Sequence, residues 1–120
     1  GIIECKGCYG GWPPIAMDYI KTVAPLSYED DYPYAEVDGT ACQAPAGGVG
    51  LSDYAVIPAG DVDSMAAAVE QHGSIVAIVQ VLPDFMFYTG GIYSDDKCDG
   101  RELSHAVTIV GYGTETDGTP

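Results

Sequence analysis

Leu103-Ser104-His105-Ala106-Val107-Thr108-Ile109-Val110-Gly111-Tyr112-Gly113 sets one histidine at the head of an apolar, β-branched run that stops at glycines. Branched side chains lose rotamer freedom in a helix and pack well on a pleated surface, so the run predicts a strand over Ala106 to Tyr112 with His105 at its mouth. A histidine can serve there as a structural hydrogen-bond partner or as a proton-transfer group, because it changes charge near neutral pH. Its surroundings decide between the two.

Working back from this stretch, two further segments read as strands: the apolar run Ile75 to Leu82, and the aromatic-rich Phe85 to Tyr93, broken by Gly90-Gly91. A helix is predicted from Val62 to His72, with Asp61 as N-cap, Val62, Met65, Ala66 and Val69 facing inward, and Gly73 as the stop. Residues 25 to 57 are rich in Pro, Gly, Asp and Tyr without a strong period, and predict an ordered loop region with turns at Asp38-Gly39 and Ala46-Gly47-Gly48. Residues 12 to 24 place Trp12, Ile15, Ala16, Tyr19, Ile20 and Val23 on one helix face, with Pro13 and Pro14 in the first turn and Pro25 ending it. Helix-rich sequence thus precedes strand-rich sequence. The expected class is α+β, with two subdomains meeting near residue 53.

Composition narrows the function. The 120 residues are 47% hydrophobic and 18% charged, a globular balance with length enough for a hydrophobic core. Four basic residues against eighteen acidic ones give a net charge of −14 and cannot build the cationic surface that a phosphate backbone requires. The same charge disfavours an anionic membrane surface, and no apolar run is long enough to span a bilayer. No leader can be read at Gly1. The sequence contains no Asn, hence no N-glycosylation acceptor and no asparagine to orient a histidine.

Cys5-Lys6-Gly7-Cys8 is a CxxC, open to reading as a redox dithiol, half of a zinc site, or two separate half-cystines. A thioredoxin-like redox pair would sit in a βαβ context and zinc would need a second pair of ligands. Neither is present, so no metal or cofactor is expected. Gly10-Gly11 suits a turn, or a backbone that an extended peptide approaches closely with Trp12 as an apolar wall. The acidic runs Glu29-Asp30-Asp31 and Asp95-Asp96 read as solvated faces.

Four motifs stand in order: Cys8-Tyr9-Gly10-Gly11-Trp12-Pro13, Asp31-Tyr32-Pro33-Tyr34, Phe85-x-x-Tyr88-x-x-Gly91-Ile92-Tyr93, and Ser104-His105-Ala106-Val107 with Gly111-Tyr112-Gly113. Together they resemble the papain and cathepsin L family of cysteine peptidases from near Ile3 to Pro120. The resemblance implies a two-domain fold, with residues 1–52 the C-terminal part of the helical (left) domain and 53–120 most of the β-barrel-like (right) domain. It implies that His105 is the catalytic histidine, forming a thiolate and imidazolium pair with a cysteine and protonating the leaving amine. It further implies that Gly10 and Gly11 meet the substrate backbone, and that Trp12, Pro13, Leu103 and Ala106 line the pocket for a hydrophobic residue two positions before the scissile bond. A residue near Ile75 would complete one wall, and Ser104 stands where the family usually has Asn or Asp.

The departures carry equal weight. In such peptidases the nucleophile lies in a Gly-x-Cys-Trp context, and papain, the family's usual example, has its histidine about 130 to 150 residues later. By that spacing the cysteine belongs roughly 30 residues before Gly1, and the orienting asparagine just past Pro120. The chain is therefore expected to be an internal fragment, inactive alone. The resemblance also implies a Cys5–Cys42 disulfide, with Cys8 and Cys98 paired to cysteines outside the chain. Expected partners are peptide and protein substrates, cystatin-type inhibitors and the protein's own propeptide, for a monomer in a secreted or lysosomal/vacuolar setting. Rival readings are a non-catalytic homologue that binds peptides and a CxxC thiol-disulfide module.

Overall fold

The computed structural model describes residues 4–39 and 41–120, which divide into two compact units, Gly1–Val56 and Ile57–Pro120. The first unit opens with a 3-10 turn, Gly7–Tyr9, followed by helix α1, Pro13–Thr22. Both prolines fall in the first turn, where their missing N–H groups have no intrahelical partner to lose. Trp12 caps the helix in extended conformation, and its carbonyl accepts from the Ile15 and Ala16 amides. Lys21 lies in the last turn, at the negative end of the helix dipole. The helix stops before Val23, which the sequence pattern had included on its inner face; Val23 is 66% exposed.

Downstream residues strap the far half of α1. Lys21 Nζ meets Asp53 Oδ1 at 2.8 Å, the Tyr54 hydroxyl donates to Asp18 Oδ1 at 2.9 Å, and the Tyr54 amide donates to Asp53 Oδ1 at 2.9 Å. Hydrogen bonding and charge from Asp53 raise the Lys21 pKa, while Lys21 and then the Tyr54 amide hold Asp53 below the usual carboxylate range. Between helix and strap runs the expected irregular region. Leu26 and Val49 exchange both backbone bonds, at 2.9 and 2.8 Å, and close it into a loop. Gly48, at φ 132°, makes that approach possible, because a Cβ there would overlap the Leu26 carbonyl. Glu29 departs from the solvated-face expectation in one respect: its carboxylate accepts the Tyr34 amide at 3.0 Å. The Asp38-Gly39 turn runs into Thr40, which lies outside the described residues, as does Ile3.

The second unit contains helix α2, Val62–His72, and strands β1, Ile75–Val79, and β2, His105–Ile109. Helix α2 begins and ends where its sequence signals stand. Asp61 accepts from the Ser64 amide at 3.1 Å and from its hydroxyl at 2.7 Å, and Gly73 turns the chain at φ 87° while donating to Val69. The helix packs on β1. Met65, Ala66 and Val69 are half-buried, but Val62, expected inward, is 68% exposed at the helix start.

β1 and β2 pair antiparallel, with Ile75 opposite Ile109, Ala77 opposite Val107 and Val79 opposite His105. The predicted strand over Ile75 to Leu82 therefore ends at Val79, and the predicted Ala106 to Tyr112 strand begins at His105 and ends at Ile109. The predicted strand over Phe85 to Tyr93 does not form. Pro83 fixes φ and starts a 3-10 turn, Pro83–Phe87, in which Phe85 donates to Leu82 and Tyr88 to Phe85. Gly90 and Gly91, at φ 151° and 84°, then turn the chain. The aromatic side chains find one another locally: Phe85 lies 5.7 Å from Tyr88 and 5.0 Å from Tyr93, ring centre to ring centre.

The fold is mixed helix and sheet, as the α+β expectation holds. The expected core is absent: among the described residues no side chain is buried. A two-stranded sheet with one helix on it leaves most apolar faces open, and Val110 and Phe87 are each 81% exposed.

Candidate functional site

In the first unit the candidate residues follow the 3-10 turn. The Lys6 amide donates to Gly10 O at 2.8 Å and the Gly10 amide to Gly7 O at 3.3 Å, which closes the turn and presents Gly10 at φ 100°. A Cβ at Gly10 would meet nothing within 4 Å, so the space above it is open; at Gly11 it would come within 3.0 Å of Cys5 Sγ. Gly10 and Gly11 are exposed, and Trp12 and Pro13 are half-buried beside them. Among the described residues neither backbone group of Gly11 has a hydrogen-bond partner. An exposed backbone with free donor and acceptor is what an added peptide strand pairs with.

The turn is pinned from a distance. The Cys8 amide donates to Asp38 Oδ1 at 2.9 Å, thirty residues along the chain. Sequence reading had Asp38 only as a turn residue, and no spacing rule could have linked it to Cys8. Partial desolvation, then hydrogen bonding and charge from Asp38, raise the Cys8 pKa. A nucleophilic dithiol uses a lowered thiol pKa, the opposite direction. The Cys5–Cys42 bond implied by the family resemblance is not formed: Cys5, Cys8, Cys42 and Cys98 are all free thiols and exposed.

In the second unit Leu103, Ser104, His105 and Ala106 run consecutively into β2. Ser104 bonds twice to the chain that leaves β1: its amide donates to Val79 O at 3.0 Å, and its hydroxyl accepts from the Val81 amide at 3.1 Å. These bonds fix the backbone one residue before His105. His105 is exposed, and among the described residues no hydrogen bond or ion pair engages its imidazole. Strand alternation puts His105 on the face of Val107 and Ile109, and Ala106 on the other with Thr108. Leu103 is 49% exposed.

Ile75 is not brought to this cluster. It pairs with Ile109, four residues down the ladder from the Val79–His105 pair, about 13 Å at strand rise. Val79 is the cross-strand neighbour of His105, which register alone could reveal. A recess of about 330 Å³, lined by residues including Ser27, Tyr28, Asp31 and Gly48, contains none of the candidate residues. Among the described residues no group of three or more His, Cys, Asp or Glu could hold a metal ion, and no helix is long and apolar enough to cross a membrane.

The family model described as papain family cysteine protease matches residues 1–120. The chain is 39% identical to cathepsin L1 of Drosophila melanogaster over 98% of its own length and 34% of that protein's. It is 36% identical to cathepsin K of Mus musculus over 95% of its length and 35% of that protein's. The structure resembles that of a digestive procathepsin L 3 from the larval midgut of Tenebrio molitor, with a TM-score of 0.82 and 34% identity, covering 92% of this chain and 36% of the other. The chain thus spans about a third of the length of the curated relatives it matches.

Proposed function

This chain belongs to the papain family of cysteine proteases, and from that premise we propose that it is an internal portion of a cysteine endopeptidase in which His105 is the general base. The observation that carries the reading is His105 itself, exposed at the head of β2, its backbone set by the ladder and its imidazole unengaged among the described residues. A general base must reach the proton that it takes, and an exposed imidazole with an unengaged nitrogen can do so. In the reaction the imidazole shares a proton with a cysteine thiol. The thiolate attacks the scissile carbonyl, and the imidazolium then protonates the leaving amine.

Gly10 and Gly11 are assigned to the substrate backbone. Trp12, Pro13, Leu103 and Ala106 are assigned to the side chain two positions before the scissile bond, and Ser104 to the substrate beside them. Ile75, at the far end of the ladder, falls outside this group. Residues 1–52 are read as the C-terminal part of the helical domain of the whole protein and 53–120 as most of its β-rich domain. Peptides with a hydrophobic residue at that second position are the expected substrates, with the propeptide and cystatin-type inhibitors as further ligands. A secreted or lysosomal/vacuolar setting suits the net charge of −14, since carboxylates partly protonate and self-repulsion falls in acid.

The 120 residues alone are expected to be inactive. None of Cys5, Cys8, Cys42 and Cys98 precedes a tryptophan as the family's nucleophile does, and no Asn is available to orient the histidine. The test uses the whole protein that carries this chain. It is expected to cleave a fluorogenic peptide in a thiol-dependent way and to be labelled by a thiol-directed epoxide peptide, with His105→Ala lowering kcat/KM by about a thousandfold. A protein that binds the peptide but neither cleaves nor labels is a non-catalytic homologue, and the enzyme reading falls. Peptidase activity in the isolated 120 residues would sink the claim that they are incomplete.

A further inference from the structure

Three amides of the Lys6–Gly10 turn are satisfied from within it. Lys6 N–H uses Gly10 O, Tyr9 N–H uses Lys6 O at 3.0 Å, and Gly10 N–H uses Gly7 O. Cys8 N–H instead turns outward to the Asp38 carboxylate at 2.9 Å. Asp38 reaches it because position 7 is glycine: a Cβ there would overlap Oδ1, and Gly7 sits at φ 55°, where side chains are disfavoured. An ionised acceptor on a backbone amide makes a shorter and stronger bond than a neutral one. The turn held in this way leads directly into Gly10, which faces open space, and on to Gly11.

We propose that Asp38 is a positioning residue for peptide recognition, holding the Cys8 amide so that the Gly10–Gly11 segment presents the free donor and acceptor of Gly11 at a fixed angle. The inference rests on the assignment of Gly10 and Gly11 to the substrate backbone. Asp38 touches no substrate and acts through the turn. Binding through this backbone is made equally in the ground state and in the transition state, so loosening it raises KM and leaves kcat.

The test is steady-state kinetics of the whole protein, with active sites counted by titration against a thiol-directed epoxide peptide so that misfolded molecules do not contribute. Asp38→Ala is expected to raise KM at least about threefold, the equivalent of part of one charge-assisted hydrogen bond, with kcat unchanged. Asp38→Asn keeps an oxygen for the Cys8 amide and is expected to return KM to within about twofold of wild type. Gly7→Ala, which displaces the carboxylate and places a side chain at φ 55°, is expected to raise KM at least as far as Asp38→Ala, and adding Asp38→Ala to it should change nothing further. Should Asp38→Ala yield no titratable sites, Gly7→Ala carries the same expectation. An active wild type with unchanged KM in both variants overturns the role of Asp38, as does a fall in kcat at constant KM. A wild type that neither cleaves nor labels overturns the substrate assignment, and this inference with it.

Discussion

Ser104 shows how one small side chain sets the position of its neighbour. Its hydroxyl takes the Val81 amide that the ladder has just released, so that amide is paired although β1 has ended. Ser104→Ala leaves Val81 without this partner and is expected to cost about 1 kcal/mol, read as a lower thermal midpoint in the whole protein with faster hydrogen exchange at Val81. Unchanged exchange at Val81 would refute the contact. Cys8 offers a second measurement at this scale. Because its pKa is raised, by partial desolvation first and Asp38 second, it is expected to alkylate more slowly at pH 8 than a free cysteine when the chain is reduced, and Asp38→Ala should accelerate it. Tyr93 offers a third: partial burial, then its bond to Asp84 at 2.9 Å, pushes the phenol up to about 12, so its ionisation is expected to come late in a spectroscopic titration and to move earlier in Asp84→Ala. His105 was conspicuous in the sequence because a lone imidazole before a β-branched run is unusual chemistry. Asp38 was invisible because its partner is an amide, which every residue carries.

Among the elements, α2 was the most legible, since its cap, its apolar face and its terminating glycine all lie within the thirteen consecutive residues from Asp61 to Gly73. Its pH response follows from the cap. Bonds from the Ser64 hydroxyl and then the Ser64 amide hold Asp61 below its ordinary value of 3.8. A carboxylate depressed on folding stabilises fully above the unfolded value, and that contribution is lost as pH falls through the lower folded value. The Ser64 amide signal is therefore expected to stay constant from pH 7 to about 4 and to move only below that, and Asp61→Ala should abolish the dependence and fray the first turn. The Lys21–Asp53 pair behaves alike at its acid end, since Asp53 is also depressed; at its basic end it persists until pH rises through the raised Lys21 value. Phe85 to Tyr93 misled the sequence reading for a physical reason. Aromatic residues favour strands only where a neighbouring strand receives them, and here Pro83 and the glycines turn the chain so that the rings pack on each other.

At the scale of the whole molecule, absent burial is the dominant fact. With no buried side chain among the described residues, the isolated chain lacks the apolar burial that offsets conformational entropy. Expressed alone, it is expected to bind a hydrophobic dye and to melt over a broad range; a sharp cooperative transition above about 45 °C would contradict this. Membership of the papain family, α2 and its caps, the start of α1 and the histidine at the head of β2 were all determined by the sequence, because each rests on local periodicity, capping chemistry or motif order. The tertiary structure alone decided that Val79 lies across from His105, that Ser104 ties β2 to the end of β1, that Asp53 and Tyr54 hold α1, and that Asp38 pins the turn before Gly10. Those four are pairings between residues some twenty or more positions apart. Local sequence carries no register for such pairings, because they are chosen by the folding of the intervening chain.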